Sequence, residues 1–314
     1  MKAIVLEEIG EAQNLKMADV ARPQIRPHEV LIRNQAISIN PVDYKVRANE
    51  ELLNLIYGEQ RPAILGWDIA GDVIALGEGV SDLKVGDRVF GMINFIGAGN
   101  GYAEFVVAPA THLAVIPDAL SYEAAAASTL AALTALQVLA PNVRKGDKVL
   151  IHAGSGGVGH FAIQIAKALG AFVVSTSSGS NKDFVLSLGA DEHIDYRREK
   201  FEEVLSEMDF VYDMFNGDIL HNSIKVVKNG GKIVSIPSAN FSEETLQFAK
   251  EKGVEIANHM VYSSGEDMYK IKEMLESGAL RPHVSKTYRF DEMVAAHEHL
   301  ESGRTVGKVV VAVD

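Results

Sequence analysis

Lys148-Val-Leu-Ile-His-Ala-Gly154-Ser-Gly156-Gly-Val-Gly159-His-Phe161-Ala-Ile-Gln-Ile165-Ala-Lys-Ala-Leu169-Gly170 decides the fold. Val149 to Ala153 is a short apolar run of strand type. Gly154, Gly156 and Gly159 then fall in the G-x-G-x-x-G spacing, and Phe161, Ile165 and Leu169 follow at helical spacing. A strand, a glycine turn and a helix in that order make a dinucleotide fingerprint out of a weak glycine pattern. Each glycine has its own reason: a tight turn, close approach of a pyrophosphate to the backbone, and packing of helix on strand. Unpaired N–H groups at the helix start, with the helix dipole, suit a diphosphate. The bland alternative is a glycine-rich turn that holds no ligand.

Outward from this stretch, strands and helices alternate. We expect strand 149–153, helix 158–169, strand 172–176, helix 181–188, strand 193–195 and helix 199–205. Strand 209–212, helix 218–228 and strand 231–236 follow. Repeated β-α units at this spacing imply a doubly wound parallel sheet. Residues up to about Pro117 read instead as short strands split by turns such as Gly77-Glu-Gly79 and Lys84-Val-Gly-Asp87, a β-rich barrel-type domain. Between the two, Ser121 to Leu139 is alanine-rich and helical, with Ser121 as N-cap. Helices over 267–277 and 291–302 and a last strand over 308–313 close the chain. The domains expected are 1–118 with 263–314, and 119–262.

Composition narrows the function. The 314 residues suffice for two domains, and 47% hydrophobic with 23% charged residues is ordinary for a soluble enzyme. A net charge of −12 argues against nucleic acid or an anionic membrane as partner, because phosphate binding needs a basic footprint. Zero cysteines exclude disulfides, a thiol nucleophile and cysteine-ligated zinc. The strand-like start at Met1 predicts no signal peptide, and no apolar run approaches the roughly 20 residues of a membrane helix. The expectation is a cytoplasmic protein.

Several landmarks carry a family resemblance: Asn40-Pro-Val-Asp43-Tyr44-Lys45, Leu65-Gly-Trp67-Asp68-Ile-Ala-Gly71, Lys84 to Gly91 and Gly101 to Val107. Leu133-Thr134-Ala-Leu-Gln137 and Glu301-Ser-Gly-Arg304-Thr-Val-Gly307-Lys308 continue them. Together they resemble the medium-chain dehydrogenase/reductase superfamily, in its zinc-independent quinone oxidoreductase and enone/alkenal reductase branch. The resemblance implies a Rossmann domain, a β-rich GroES-like domain, NADPH as cofactor, a small-molecule quinone or enone/enal substrate, and a homodimer.

The zinc-dependent branch carries a cysteine where this chain has Asn40, and a histidine and glutamate where it has Trp67 and Asp68. Trp67 cannot ligate zinc, an amide is a poor ligand beside a thiolate, and the segment Phe90–Tyr102 is too short for a structural zinc lobe. No metal is expected. His297-x-His299 lies on an amphipathic helix and reads as a solvent-facing pair. Without a Lewis acid, the substrate must itself accept hydride, as a quinone or a conjugated C=C does. The protein then supplies positioning and a donor to the developing oxyanion. Asn40, Tyr44 and Lys45 are the candidate donors on one loop, with Asp43 as its anchor. Against this, Asn40-Pro41 also reads as an ordinary turn and Lys45 as a solvated lysine, and Trp67 reads equally as pocket wall or core.

For the cofactor, the candidates are Thr134, Gly154, Ser155, Gly156, Gly157, Val158 and Gly159, then Ser177, Ser178, Lys182 and Tyr196, and finally Ile236 and Pro237. No acid follows the second Rossmann strand before Asp183, so hydroxyls and a lysine face the ribose, which favours a 2′-phosphate. Tyr196 in Asp195-Tyr-Arg-Arg198 matches the family's clamp, whereas its lysine is displaced here, with Ser180 in its place. Ser177 and Ser178 also read as plain loop serines. A non-catalytic NADPH-binding protein, crystallin-like or regulatory, and a reductase module of a larger synthase are the competing functions.

Overall fold

The computed structural model describes residues 1–236 and 240–313. The chain divides into two compact units, residues 1–133 with 262–314 and residues 134–261.

In the first unit, β1 (Lys2–Leu6), β2 (Leu15–Asp19) and β4 (Ala63–Ile64) form a small antiparallel sheet. The long β3 (Glu29–Ile39) pairs with β5 (Asp68–Leu76) and β7 (Phe105–Pro109); β5 continues through β6 (Arg88–Met92) to β8 (Ala114–Val115). Val30, Ile32 and Ala36 alternate inward along β3, and Val73, Val89 and Val106 from the neighbouring strands pack in the same core as its valine and isoleucine. Between β3 and β5 the chain forms two helices, α1 (Pro41–Ala48) and α2 (Glu50–Tyr57), where the sequence reading had only strands and turns. Pro41 opens α1 because its missing N–H and fixed φ suit the first helical position.

The alanine-rich stretch is two helices and not one. Ser121 caps α3 (Tyr122–Ala127) by accepting from the Ala124 N–H at 3.2 Å. The chain breaks at Ser128 and Thr129, whose hydroxyls bond back to Ala124 and Ala126 carbonyls, and resumes as α4 (Leu130–Asn142). Helix α3 packs on β3 and β5, which brings residues 119–133 into the first unit.

The second unit is built on six parallel strands: β9 (Lys148–Ile151), β10 (Phe172–Ser177), β11 (Glu192–Asp195), β12 (Met208–Asp213), β13 (Val227–Ser235) and β14 (Glu255–Asn258). Their spatial order is β11-β10-β9-β12-β13-β14, the 3-2-1-4-5-6 order of a doubly wound dinucleotide fold. Helices α5 (Gly159–Ala168), α6 (Lys182–Ser187), α7 (Phe201–Val204), α8 (Gly217–Val226) and α9 (Glu243–Lys252) make the crossovers. The sequence reading contained neither α9 nor β14. The order reverses between β9 and β12, so the crevice at their carboxyl ends is the place for a ligand.

The chain then re-enters the first unit through α10 (Gly265–Glu276), β15 (Val284–Arg289), α11 (Met293–Glu301) and β16 (Lys308–Ala312), with β16 inserted between β15 and β3. Among the described residues no helix is long and apolar enough to cross a membrane.

Candidate active site

In the second unit, the glycine turn stands at the carboxyl end of β9. A Cβ at Gly154 would collide with Ser175 Oγ, and one at Gly159 with the Ala153 carbonyl, so helix and strand approach too closely for a side chain. Gly156 differs: its Cβ would only graze the Ala153 carbonyl at 3.2 Å. Packing within the protein therefore demands glycine at 154 and 159 and crowds 156 much less, where the N–H donates to the Ala153 carbonyl at 2.8 Å. Val158, the N-cap of α5, offers no side-chain cap, so the helix start keeps anion-binding capacity at Gly159, while the His160 N–H donates to the Gly156 carbonyl at 3.1 Å. This cradle, with Ser155, Gly156, Gly157, Val158 and Gly159, fits a dinucleotide pyrophosphate.

Beside it, β10 ends in hydroxyls. Ser177 Oγ donates to the Ser178 carbonyl and pairs with His193 Nε2 at 2.8 Å; Ser178 Oγ pairs with Ser180 Oγ at 3.0 Å. Burial holds the His193 imidazole below its usual pKa. A cavity of about 430 Å3 adjoins, lined by Ser180, Lys182, His193, Arg197 and Arg198. It also holds two acids, Asp195 and Glu199, against the three cations; Asp195 accepts from the Arg197 N–H at 3.1 Å and faces Arg198 at 3.7 Å, so the local balance stays cationic. Tyr196 is exposed. Asn181 donates to Ser155 Oγ at 3.0 Å, joining this rim to the glycine turn.

Opposite, Asp213 at the end of β12 is fully buried and accepts from Ser235 Oγ at 2.6 Å and from the Phe215 and Asn216 N–H groups. Ile236 donates its N–H to the Asp213 carbonyl, and Thr134 accepts at its carbonyl from the Tyr212 hydroxyl. Pro237 lies outside the described residues. His152, next to the turn, is buried between Thr176 Oγ1 and Ser223 Oγ, and burial pulls its pKa down to about 3.

In the first unit, Asn40, Tyr44 and Lys45 stand on a helix and not on a loop: Asn40 is the N-cap of α1 and the other two are in its body. Asp43 anchors the turn by accepting the Asn40 N–H at 2.6 Å. Asn40 is 1% exposed. Its Nδ2 donates to Asp68 Oδ2 at 2.7 Å, and its Oδ1 accepts from Lys308 Nζ. Lys308 also donates to the Ile39 carbonyl at 3.1 Å and lies 3.8 Å from Asp68 Oδ2. Asp68 Oδ1 takes the N–H of Leu130 at the start of α4. Tyr44 is half-buried and its hydroxyl is pushed up in pKa by burial and then by Glu301, whereas Lys45 is exposed.

Burial raises Asp68 and lowers Lys308, against the attraction between them. It also pushes Asp43 up to about 7, with the neighbouring Asp68 charge adding to the rise. Asp43 Oδ1 has no hydrogen-bond partner among the described residues.

Trp67 is wholly buried, its Nε1 donating to the Gly97 carbonyl at 2.7 Å and its ring against Phe95 and Tyr57, so it is core. The solvent-facing reading of His297 is wrong. It is buried, with Nδ1 at 2.9 Å from Arg47 and Nε2 at 3.0 Å from the Tyr102 hydroxyl, and its pKa falls to about 3. Of the two histidines only His299 is partly open, against Tyr288. Lys308, His152, Asp213 and Asn181 had no role in the sequence reading, although Lys308 and His152 lay in quoted stretches.

Two family models match the chain: the alcohol dehydrogenase GroES-like domain over residues 26–118 and a zinc-binding dehydrogenase domain over residues 188–311. A 2-methylene-furan-3-one reductase of Solanum lycopersicum is 34% identical over 99% of this chain and 79% of its own. The solved quinone oxidoreductase of Coxiella burnetii superposes with a TM-score of 0.93 at 36% identity, covering 100% of this chain and 99% of that one. The Escherichia coli quinone oxidoreductase, solved with NADPH, gives 0.88 at 27% identity over 99% and 100%. The chain belongs to the medium-chain dehydrogenase/reductase family and is an oxidoreductase.

The zinc in the second model's name does not fit these residues. Where a metal would need ligands, Asn40 and Asp68 already hold a lysine ammonium, and the buried Trp67 has no lone pair to give.

Proposed function

We propose that the protein is an NADPH-dependent reductase of quinones or α,β-unsaturated carbonyls that works without a metal. The observation that carries this reading is the end of β10. Where an NAD-binding chain places a carboxylate for the ribose hydroxyls, this chain has Ser177 and Ser178 beside a cavity whose three cations, Lys182, Arg197 and Arg198, outnumber its two carboxylates, Asp195 and Glu199. Hydroxyls and cations welcome a 2′-phosphate that a carboxylate would repel. The reductases of tomato and E. coli among the relatives support the same direction.

When bound, the nicotinamide supplies the hydride. The backbone N–H groups of Ser155, Gly157, Val158 and Gly159 hold the diphosphate, the Gly156 N–H being taken by the Ala153 carbonyl, and Ser178, Lys182, Tyr196 and the two arginines face the 2′-phosphate. Thr134, Ile236 and Pro237 are assigned to the nicotinamide end. Asn40 serves as donor to the substrate oxygen that becomes an enolate or quinolate. With 1% of its surface open, it acts through a fixed N–H and not as a mobile side chain. Tyr44 and Lys45 on the same helix are the second-rank donors. The free edge of β14, paired only with β13 among the described residues, is assigned to a homodimer.

NADPH and NADH oxidation with a panel of electron-poor quinones and short enals tests the reading. Turnover with NADPH, and binding of NADPH tighter than NADH, is expected. Tight NADPH binding without turnover of any quinone or enal would instead make the chain a non-catalytic binder.

A further inference from the structure

We infer that Lys308 is a positioning residue for the reduction, supplying to Asn40 the fixed positive charge that a metal supplies in the zinc branch. The inference rests on the assignment of Asn40 as the donor. Lys308 Nζ donates to the Ile39 carbonyl at 3.1 Å and to Asn40 Oδ1, and lies 3.8 Å from Asp68 Oδ2. The Asp68 carboxylate at 3.8 Å favours the ammonium over the neutral amine. The ammonium fixes the Asn40 amide in one sense, with Oδ1 toward Lys308 and Nδ2 toward Asp68. One Nδ2 hydrogen goes to Asp68. The other has no partner among the described residues.

Charges at both ends of one amide have a chemical consequence. A cation on the oxygen draws density from the nitrogen, so the remaining N–H becomes a stronger donor, and it is held without rotational freedom. An oxyanion-hole donor gains from such preorganisation, because nothing need reorient as charge develops. A buried ammonium 3% exposed also costs desolvation, which a merely structural strand residue such as valine would avoid. The charged groups facing Lys308 are Asp68 on β5 and, further off, Asp43 on α1.

The experiment is kcat and NADPH affinity for Lys308→Met, Lys308→Arg, Asn40→Ala and the Lys308→Met/Asn40→Ala double variant, with a short enal. The 15N side-chain amide resonance of Asn40 is recorded in wild type and in both Lys308 variants. Lys308→Met is expected to lower kcat about 10-fold or more with NADPH binding unchanged, Lys308→Arg to recover most of the loss, and the double variant to be no slower than Asn40→Ala alone. The Asn40 amide resonance should move upfield in Lys308→Met and stay near its wild-type position in Lys308→Arg. Where Lys308→Met fails to fold because Asp68 is left unpaired, the neutral pair Lys308→Met/Asp68→Asn takes its place. An unmoved amide resonance, or an equal further loss in the double variant, overturns the positioning role. Unchanged kcat in Asn40→Ala refutes the donor assignment itself, which the amide resonance does not test.

Discussion

The glycine turn and the Asn40 cluster solve the problem of placing charge in opposite ways. The turn concentrates its function in six contiguous residues, Gly154–Gly159, and uses backbone N–H groups with side chains removed. The cluster gathers Asn40, Asp68 and Lys308 across separations of 28 and 268 positions and uses side-chain charges buried together. A site made of backbone tolerates no added atom. A site made of buried charges tolerates no lost partner.

The sharpest break of that comparison is Gly159→Val. Its new Cβ meets only backbone, the Ala153 carbonyl and the Gly154 Cα, so nothing flexible can yield. We expect a loss of about 3 kcal/mol or more and poor recovery of folded protein by urea denaturation. Gly156→Ala, whose Cβ would meet one backbone carbonyl at 3.2 Å, should cost far less stability than Gly159→Val while weakening NADPH binding. Equal damage to stability from both would mean that the turn is demanded by packing alone.

Next comes a lost partner in the first unit. Arg47, 2% exposed, donates to Glu301 at 2.8 and 3.0 Å, to His297 and to the Gly10 carbonyl. Arg47→Met strands these acceptors and should cost about 3 kcal/mol, less than a fully buried pair because Glu301 keeps some water. A thermal melt within a degree of wild type would show that the network adds nothing.

Acid should strain both regions. His152 and His297 fold with pKa near 3 against an ordinary 6.5, so each stabilises the neutral form. Their contribution is fully present above pH 6.5 and is lost as pH falls toward 3. Asp43 has the reverse sign: raised to about 7, its contribution is complete below about 4 and is lost as pH rises through 7. Urea midpoints from pH 7 to 4 should therefore fall less steeply in His297→Gln, if that variant folds, than in wild type. Parallel curves would place the acid sensitivity elsewhere.

A smaller effect belongs to Ser178→Asp at the end of β10. Like-charge repulsion of a 2′-phosphate should weaken NADPH by about 1–3 kcal/mol and spare NADH, read by cofactor fluorescence titration. Unchanged preference would move the 2′-phosphate away from this rim.

What was legible in the sequence follows the same division. Strand, glycine turn and helix declare themselves because the signal is local, and the β-α alternation of residues 149–236 repeats it. Helices α1 and α2 escaped because each is eight residues long and lies between turn-forming Asn40-Pro41 and Gly58. Helix α9 buries only Thr245 and Ala249, so it carries almost no apolar period to read. His297 looked like a surface histidine because it stands on an amphipathic helix near the C-terminus; Arg47, which pairs with it, lies 250 positions away. Lys308 stood in a quoted motif, yet its role depends on Asn40 and Asp68 meeting it across the sheet.

The rate of enal reduction by Asn40→Ala, measured together with its NADPH affinity, tests the donor role most directly. A loss of about 100-fold in kcat with NADPH affinity and melting temperature near wild type, and a smaller loss with an easily reduced quinone, is the expected result. Wild-type kcat on both substrates would contradict the donor role and leave positioning by the cofactor and the pocket walls as the whole of catalysis.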